Sequence, residues 1–255
     1  IYEGGGYAAL CGASVALVDV HGGLMRPEDV QGAIRKQAGS LSHYPDGTLV
    51  CVENTSNRGG GACYPQTTLD EIAAVAKANN CAVHMDGARI FNASVATNTP
   101  LERMVRGYDS ISICLSKGLG APIGSVLVGS RTFIAQAHRW RKMFGGGMRQ
   151  AGMLAAAGLH ALDHHVERMA EDHSRATQLA TSINAINGFT VDLSTVETNM
   201  VYFDSEISAT DVMDALATSG IDVLDIGPQS CRIVVHLHVT DEDVIEVIRA
   251  FENLV

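Results

Sequence analysis

Two ionisable residues stand where a buried chain should carry none. Asp86 follows the apolar run Cys81–Met85, and Lys117 follows the apolar run Ile111–Leu115. A charge at the end of a buried strand is costly unless it is paired or used. In an open α/β sheet, ligands bind just past the carboxyl ends of the strands. If both runs are strands of one parallel sheet, Asp86 and Lys117 reach one crevice, one with a negative charge and the other with an amine. Arg89 lies three residues beyond Asp86. With a helix opening at Gly87, the two would be about one turn apart.

An amine among the small residues Ser116-Lys117-Gly118-Leu119-Gly120 suits Schiff-base chemistry. Burial and nearby cations favour the neutral, nucleophilic form, and the glycines leave room for a flat cofactor. The bland reading is an exposed lysine in a strand-to-loop turn. Asp86 fits the same chemistry, because pyridoxal phosphate is an electron sink only while its ring nitrogen stays protonated. At an effective dielectric near ~20 and a separation of ~3 Å, the gross Coulomb attraction is about 5 kcal/mol before desolvation. Otherwise Asp86 caps a helix starting at Gly87. Arg89 offers a planar fork for an amino-acid carboxylate. Its alternative is a surface pair with Asp86 worth under ~1 kcal/mol.

The elements that must place these groups read as α/β. Short apolar runs at 13–20, 48–52, 81–85, 110–115 and 124–128 alternate with amphipathic stretches at about 26–37 and 69–79. Pro27, Glu28 and Asp29 mark the start of the first helix. Thr67 or Thr68 could cap the second. The glycine-rich stretch Ser56–Tyr64 is a long loop. From Gln150 to about Ala185 the pattern is helical throughout. Beyond Asn187-Gly188 come short strands at 190–193, 200–203 and 231–238, with helices over 209–219 and 241–253, as in a small α+β domain. We therefore expect a large domain over residues 1–165 and a small one over 166–255.

With 255 residues, 46% of them hydrophobic, the chain can build a substantial core. A formal net charge of −10 disfavours nucleic acid and anionic membranes as partners. No apolar stretch of about 18 residues predicts a transmembrane helix. The opening IYEGGGYAAL has no signal-peptide pattern and no initiator Met. Cys51, Cys81, Cys114 and Cys231 lie in or beside apolar runs without a CxxC, which reads as reduced, buried thiols of a cytoplasmic protein.

Other residues invite chemistry more weakly. His236 and His238 would share a face of the 231–238 strand, but no third ligand has telling spacing, so no metal is expected. His160, His164 and His165 read as a solvated helix face. The glycine clusters at 4–6, 59–61 and 145–147 lack phosphate-loop spacing. Met143, Met148 and Met153 read as packing or interface residues.

The blocks HMDGARIFN, SICLSKGLGAPIGSVLVG and RWRKMFGGGMRQAGMLAAAG resemble the low-specificity L-threonine aldolases. The resemblance implies a fold type I pyridoxal-phosphate enzyme of the aspartate aminotransferase-like kind, with a small C-terminal α+β domain. It implies cleavage of L-threonine, L-allo-threonine and related β-hydroxy-α-amino acids to glycine and an aldehyde. By this likeness Lys117 is the Schiff-base lysine, with Ser116 beside it, and Asp86 is the partner of the ring nitrogen. Arg89 and Arg232 are carboxylate ligands. His43 stands near the substrate hydroxyl, and Tyr2 lines the pocket. Lys142 and Arg149 approach the site from a neighbouring subunit of a homo-oligomer, a tetramer arranged as a dimer of dimers. The family's ring-stacking histidine would lie two residues before Ile1, with its phosphate-binding segment further upstream, so the large domain is expected to be N-terminally incomplete. Ser56 stands where the family usually has histidine, and the following NRGGGACYP also departs. The competing readings are a related β-eliminating lyase and a degenerate paralogue that only scaffolds an oligomer.

Overall fold

The computed structural model describes residues 3–35 and 43–254. Tyr2 lies outside them. The chain opens on a short helix, α1 (Gly6–Cys11), and an extended stretch. The strand expected over 13–20 does not form: these residues pair with no ladder, and Val15 and Leu17 are exposed. Apolar composition alone cannot make a strand without a neighbour to satisfy its backbone. Helix α2 (Pro27–Ile34) starts at the proline as expected but stops at Arg35, which adopts φ +57°.

Four strands form the first sheet: β1 (Leu49–Glu53), β2 (Ala82–Asp86), β3 (Ser110–Cys114) and β4 (Ser125–Gly129), in spatial order β1-β2-β3-β4. The first three run parallel, and β4 returns antiparallel as its short connection requires. Helices α3 (Gln66–Ala78), α4 (Ile90–Thr97) and the short α5 (Leu101–Met104) supply the crossovers. The core under this sheet includes Val52, Leu69, Ile72, Val83, Met85, Ile90 and Met104.

Helices α6 (Arg131–Met143), α7 (Gly152–His164) and α8 (Met169–Asn184) follow. Ser130 caps α6 by accepting the N–H of Phe133. The helical stretch expected from 150 to 185, long enough for one connecting helix or two, is two helices separated at 165–168. There His165 donates from Nδ1 to the Leu119 carbonyl at 2.7 Å, and Val166 packs against the first core. Helix α8 gives Met169 to the first core and Ala176, Leu179, Ala180 and Ile183 to a second.

The second sheet is antiparallel, with strands β5 (Phe189–Thr190), β6 (Met200–Ser205), β7 (Leu224–Gly227) and β8 (Ser230–Val234) in order β5-β6-β8-β7. Helices α9 (Ala209–Ala217) and α10 (Asp241–Glu252) pack on it around the mutually edge-on rings of Phe189, Phe203 and Phe251. Strand β8 ends at Val234, so His236 and His238 are not strand neighbours; both are exposed. Cys63, Cys81 and Cys231 are buried thiols, but Cys51 and Cys11 are exposed.

Candidate active site

The parallel strands carry their charged residues to one end of the sheet. Glu53 and Asp86 are the last residues of β1 and β2 and are register partners. Asp86 pairs in turn with Ser112 of β3, whose strand ends just before Lys117. The chain leaves β2 through Gly87, where a Cβ would stand 2.9 Å from the Ser112 carbonyl oxygen. Asp86 Oδ1 accepts the N–H of Ala88 at 3.0 Å, so it closes a turn rather than capping a helix at Gly87. The helix opens later, at Ile90, and Arg89 is its N-cap residue.

Lys117 sits in a tight turn closed by Gly120 N–H to the Lys117 carbonyl at 2.8 Å. The turn is pinned on three sides. Asn92 of α4 lies under Gly118, where a Cβ would approach its Oδ1 to 2.8 Å. Leu237 lies against Gly120, which has φ +69° and room for no side chain. His165 holds the Leu119 carbonyl from the far side; since a carbonyl only accepts, the proton is on Nδ1. The backbone is thus fixed while the lysine side chain stays exposed.

That side chain faces a cleft of about 390 Å³, the size of a cofactor or small-ligand site. Arg89, Ser116, Lys117, Asn199, His236 and His238 line it. From sequence the two histidines read as weak metal-ligand candidates or as one packed and one solvated residue, and nothing local marks Asn199. Among the described residues no cluster of three or more metal-ligating side chains occurs.

Arg89 is half-buried, and burial lowers its pKa; Arg232 lowers it further, while Glu53, Tyr202 and Cys114 raise it. Burial pushes the Glu53 carboxyl up, and Asp86 adds to this; the Asn57 N–H, Arg89 and Lys117 oppose it. These groups therefore lie within one another's fields. Arg232 sits in the middle of β8 opposite Tyr202 of β6. Its Nη1 donates to Asn57 Oδ1 at 2.9 Å, and its buried Nε has no partner. Glu53 carries the same signal that singled out Asp86, a charge ending an apolar run. Asn57 carries none, because its partners are more than a hundred residues away.

Asp86 and Arg232 are not among the residues that line this cleft, and other expected residues stand apart from it as well. His43 is exposed, ahead of β1, and does not line the cleft. Lys142, at the end of α6, and Arg149 are exposed and do not line it either. Met143, Met148 and Met153 are strongly exposed, so they pack no core of this chain. Ser56 Oγ accepts the Gly59 N–H at 3.2 Å and lies so close to Gly23 that no Cβ could stand there.

Residues 1–206 match the family described as beta-eliminating lyase. The chain is 42% identical over 259 residues to a probable low-specificity L-threonine aldolase 2 of Arabidopsis thaliana, covering 100% of this chain and 73% of that protein. In structure it resembles a putative L-allo-threonine aldolase from Listeria monocytogenes, with a TM-score of 0.83 at 20% identity over 100% of this chain and 72% of that one. It also overlays SPT carrying PLP, with a TM-score of 0.64 at 18% identity over 89% of this chain and 58% of that one. The fold is that of the fold type I enzymes, and the group bound in that SPT structure is PLP, pyridoxal phosphate. The residues present fit it: an exposed lysine on a pinned turn, a carboxylate on the adjacent strand end, and glycines at 118 and 120 that line the cleft without side chains. The chain belongs to the beta-eliminating lyase family, within its low-specificity L-threonine aldolase group.

Proposed function

We propose that this chain cleaves L-threonine, L-allo-threonine and related L-β-hydroxy-α-amino acids to glycine and an aldehyde. The observation that carries the reading is the convergence, at one end of the parallel sheet, of a strand-end carboxylate, a lysine on a rigid turn and two electrostatically coupled arginines. When bound, pyridoxal phosphate supplies an electrophilic carbonyl and a π system that accepts the electron pair of the broken bond. Lys117 holds the cofactor through its amine, with Ser116 beside it and Arg149 of a neighbouring subunit completing the cradle. Asp86 keeps the ring nitrogen protonated. Arg89 and Arg232 fix the substrate carboxylate, which sets the Cα–Cβ bond for cleavage. A base, His43 directly or through water, takes the β-hydroxyl proton. Tyr2 and Lys142 line the substrate side.

In this reading residues 1–165 bind the cofactor, and residues 166–255 form the small unit that brings Arg232. The exposed Trp140, Met143, Met148 and Met153 support a homo-oligomer, which we read as a tetramer built as a dimer of dimers. No helix among the described residues is long and apolar enough to cross a membrane, and we place the protein in the cytoplasm. The test is glycine and acetaldehyde release from L-threonine by the protein loaded with pyridoxal phosphate. We expect turnover in the wild type, and a loss on the order of 10²-fold in turnover for His43→Ala with cofactor absorbance unchanged. No glycine from either threonine diastereomer would refute the reading.

A further inference from the structure

Asn57 joins the two sheets at the point where the site needs them joined. It follows β1 in the glycine-rich loop, and its N–H supports the Glu53 carboxyl. Its carbonyl accepts the Tyr202 hydroxyl at 2.7 Å, and its side-chain oxygen accepts Arg232 Nη1 at 2.9 Å. A guanidinium has only donors, so the atom facing it must be the amide oxygen. Tyr202 and Arg232 are themselves register partners on β6 and β8. One residue of the first sheet's loop thus grips a cross-strand pair of the second.

The loop behind Asn57 is packed, not loose. Thr198 Oγ1 donates to the Gly61 carbonyl at 2.9 Å, and the Cys63 N–H donates to Glu197 at 3.4 Å. Gly61 has φ +87° and would place a Cβ 2.3 Å from Thr198 Oγ1. The position of Asn57 is therefore set by the fold, and it can transmit that position to Arg232.

The remaining donors of Arg232 show the purpose. Asn57 occupies Nη1. Nε is buried and unpartnered, and it belongs to the other edge of the fork, the one that pairs side-on with a carboxylate. A buried donor without a partner is expensive, and a bound anion removes the cost. The neutrality of Asn57 matters as much as its oxygen. An aspartate would hold the same nitrogen but would cancel the charge that attracts the ligand.

We propose that Asn57 is the positioning residue for Arg232, a neutral acceptor that fixes the guanidinium plane and presents its Nε edge to the substrate carboxylate. This rests on the aldolase reading for the identity of the substrate. The test compares wild type, Asn57→Ala, Asn57→Asp, Arg232→Ala and the Asn57→Ala/Arg232→Ala double variant, each as holoenzyme on L-threonine. Asn57→Ala should raise KM about tenfold with kcat within about threefold. Asn57→Asp, which preserves shape, should raise KM at least as much. In the Arg232→Ala background, Asn57→Ala should add less than about twofold, since the partner it acts through is gone. An unchanged KM in both single variants, or effects that multiply in the double variant, would overturn the proposal. Calorimetric titration of glycine into the same holoenzymes gives the comparison without turnover. A wild type that binds glycine in an Asn57-dependent way yet cleaves no threonine refutes the aldolase reading alone. A wild type that binds no glycine refutes both.

Discussion

The two sheets contribute to the site in different ways. In the first, the charged residues end strands with one buried face, and their place follows from strand length and register: Glu53 opposite Asp86, Asp86 opposite Ser112. In the second, Arg232 sits mid-strand on a sheet whose aromatic core is closed, and its aim depends on Asn57 from another part of the chain. The lesson is a division of labour. In the proposed reading the parallel sheet anchors the reacting groups, while the antiparallel sheet would deliver a substrate ligand whose orientation is borrowed. Substitution of the strand-end carboxylate Asp86 should act on kcat, and substitution of Arg232, or of the Asn57 that holds it, on KM.

Asp86→Asn gives the largest effect if this division holds. In the proposed reading it removes the charge that would retain the ring proton, and it should lower kcat on the order of 10²-fold or more with KM little changed. Steady-state kinetics on L-threonine decide it; a pure KM effect would break the comparison. Arg232→Ala comes next, with KM raised about 10- to 100-fold, the range for a lost charge-assisted hydrogen bond, and a smaller change in kcat. An equal loss in kcat and kcat/KM would mean that Arg232 acts in the transition state instead.

The smallest effect concerns the joint between the regions. His173 of α8 meets Asn92 of α4 at 3.1 Å, and burial lowers its pKa, with Asp172 opposing. The folded protein therefore binds this proton less readily than the unfolded chain. Stability is full above the unfolded imidazole value, about 6.5, and is lost as pH falls through it toward the folded value. The melting temperature should fall by a few degrees between pH 7.5 and 5.5. His173→Gln should flatten part of that fall, with His84, also lowered by burial, accounting for more. An unaltered pH profile in His173→Gln would remove His173 from the joint.

How much of this the sequence reveals depends on how local the cause is. Strands β1 to β4 are legible because each is a short, near-continuous apolar run, although β1 and β2 alternate buried and exposed residues and β4 is largely exposed. Lys117 and Asp86 are legible because each ends such a run. Residues 13–20 have the same composition without a neighbour, and they form no strand. The break between α7 and α8 has no glycine or proline to announce it; His165 reaches the Leu119 carbonyl across 46 residues. Strand β8 stops at Val234, so the two histidines beyond it line the cleft instead of sharing a face. Asn57 is the extreme case, with partners at 202 and 232 that no window of local sequence contains.

The central claim is that Lys117 carries the cofactor. The chain has four lysines, Lys36, Lys77, Lys117 and Lys142, so the assignment can be made without ambiguity. The measurement is borohydride reduction of the protein loaded with pyridoxal phosphate, digestion, and mass mapping of the modified peptide. One stoichiometric phosphopyridoxyl group is expected, on Lys117, and its loss in Lys117→Ala. Stoichiometric label on another lysine, or none on Lys117, would contradict it.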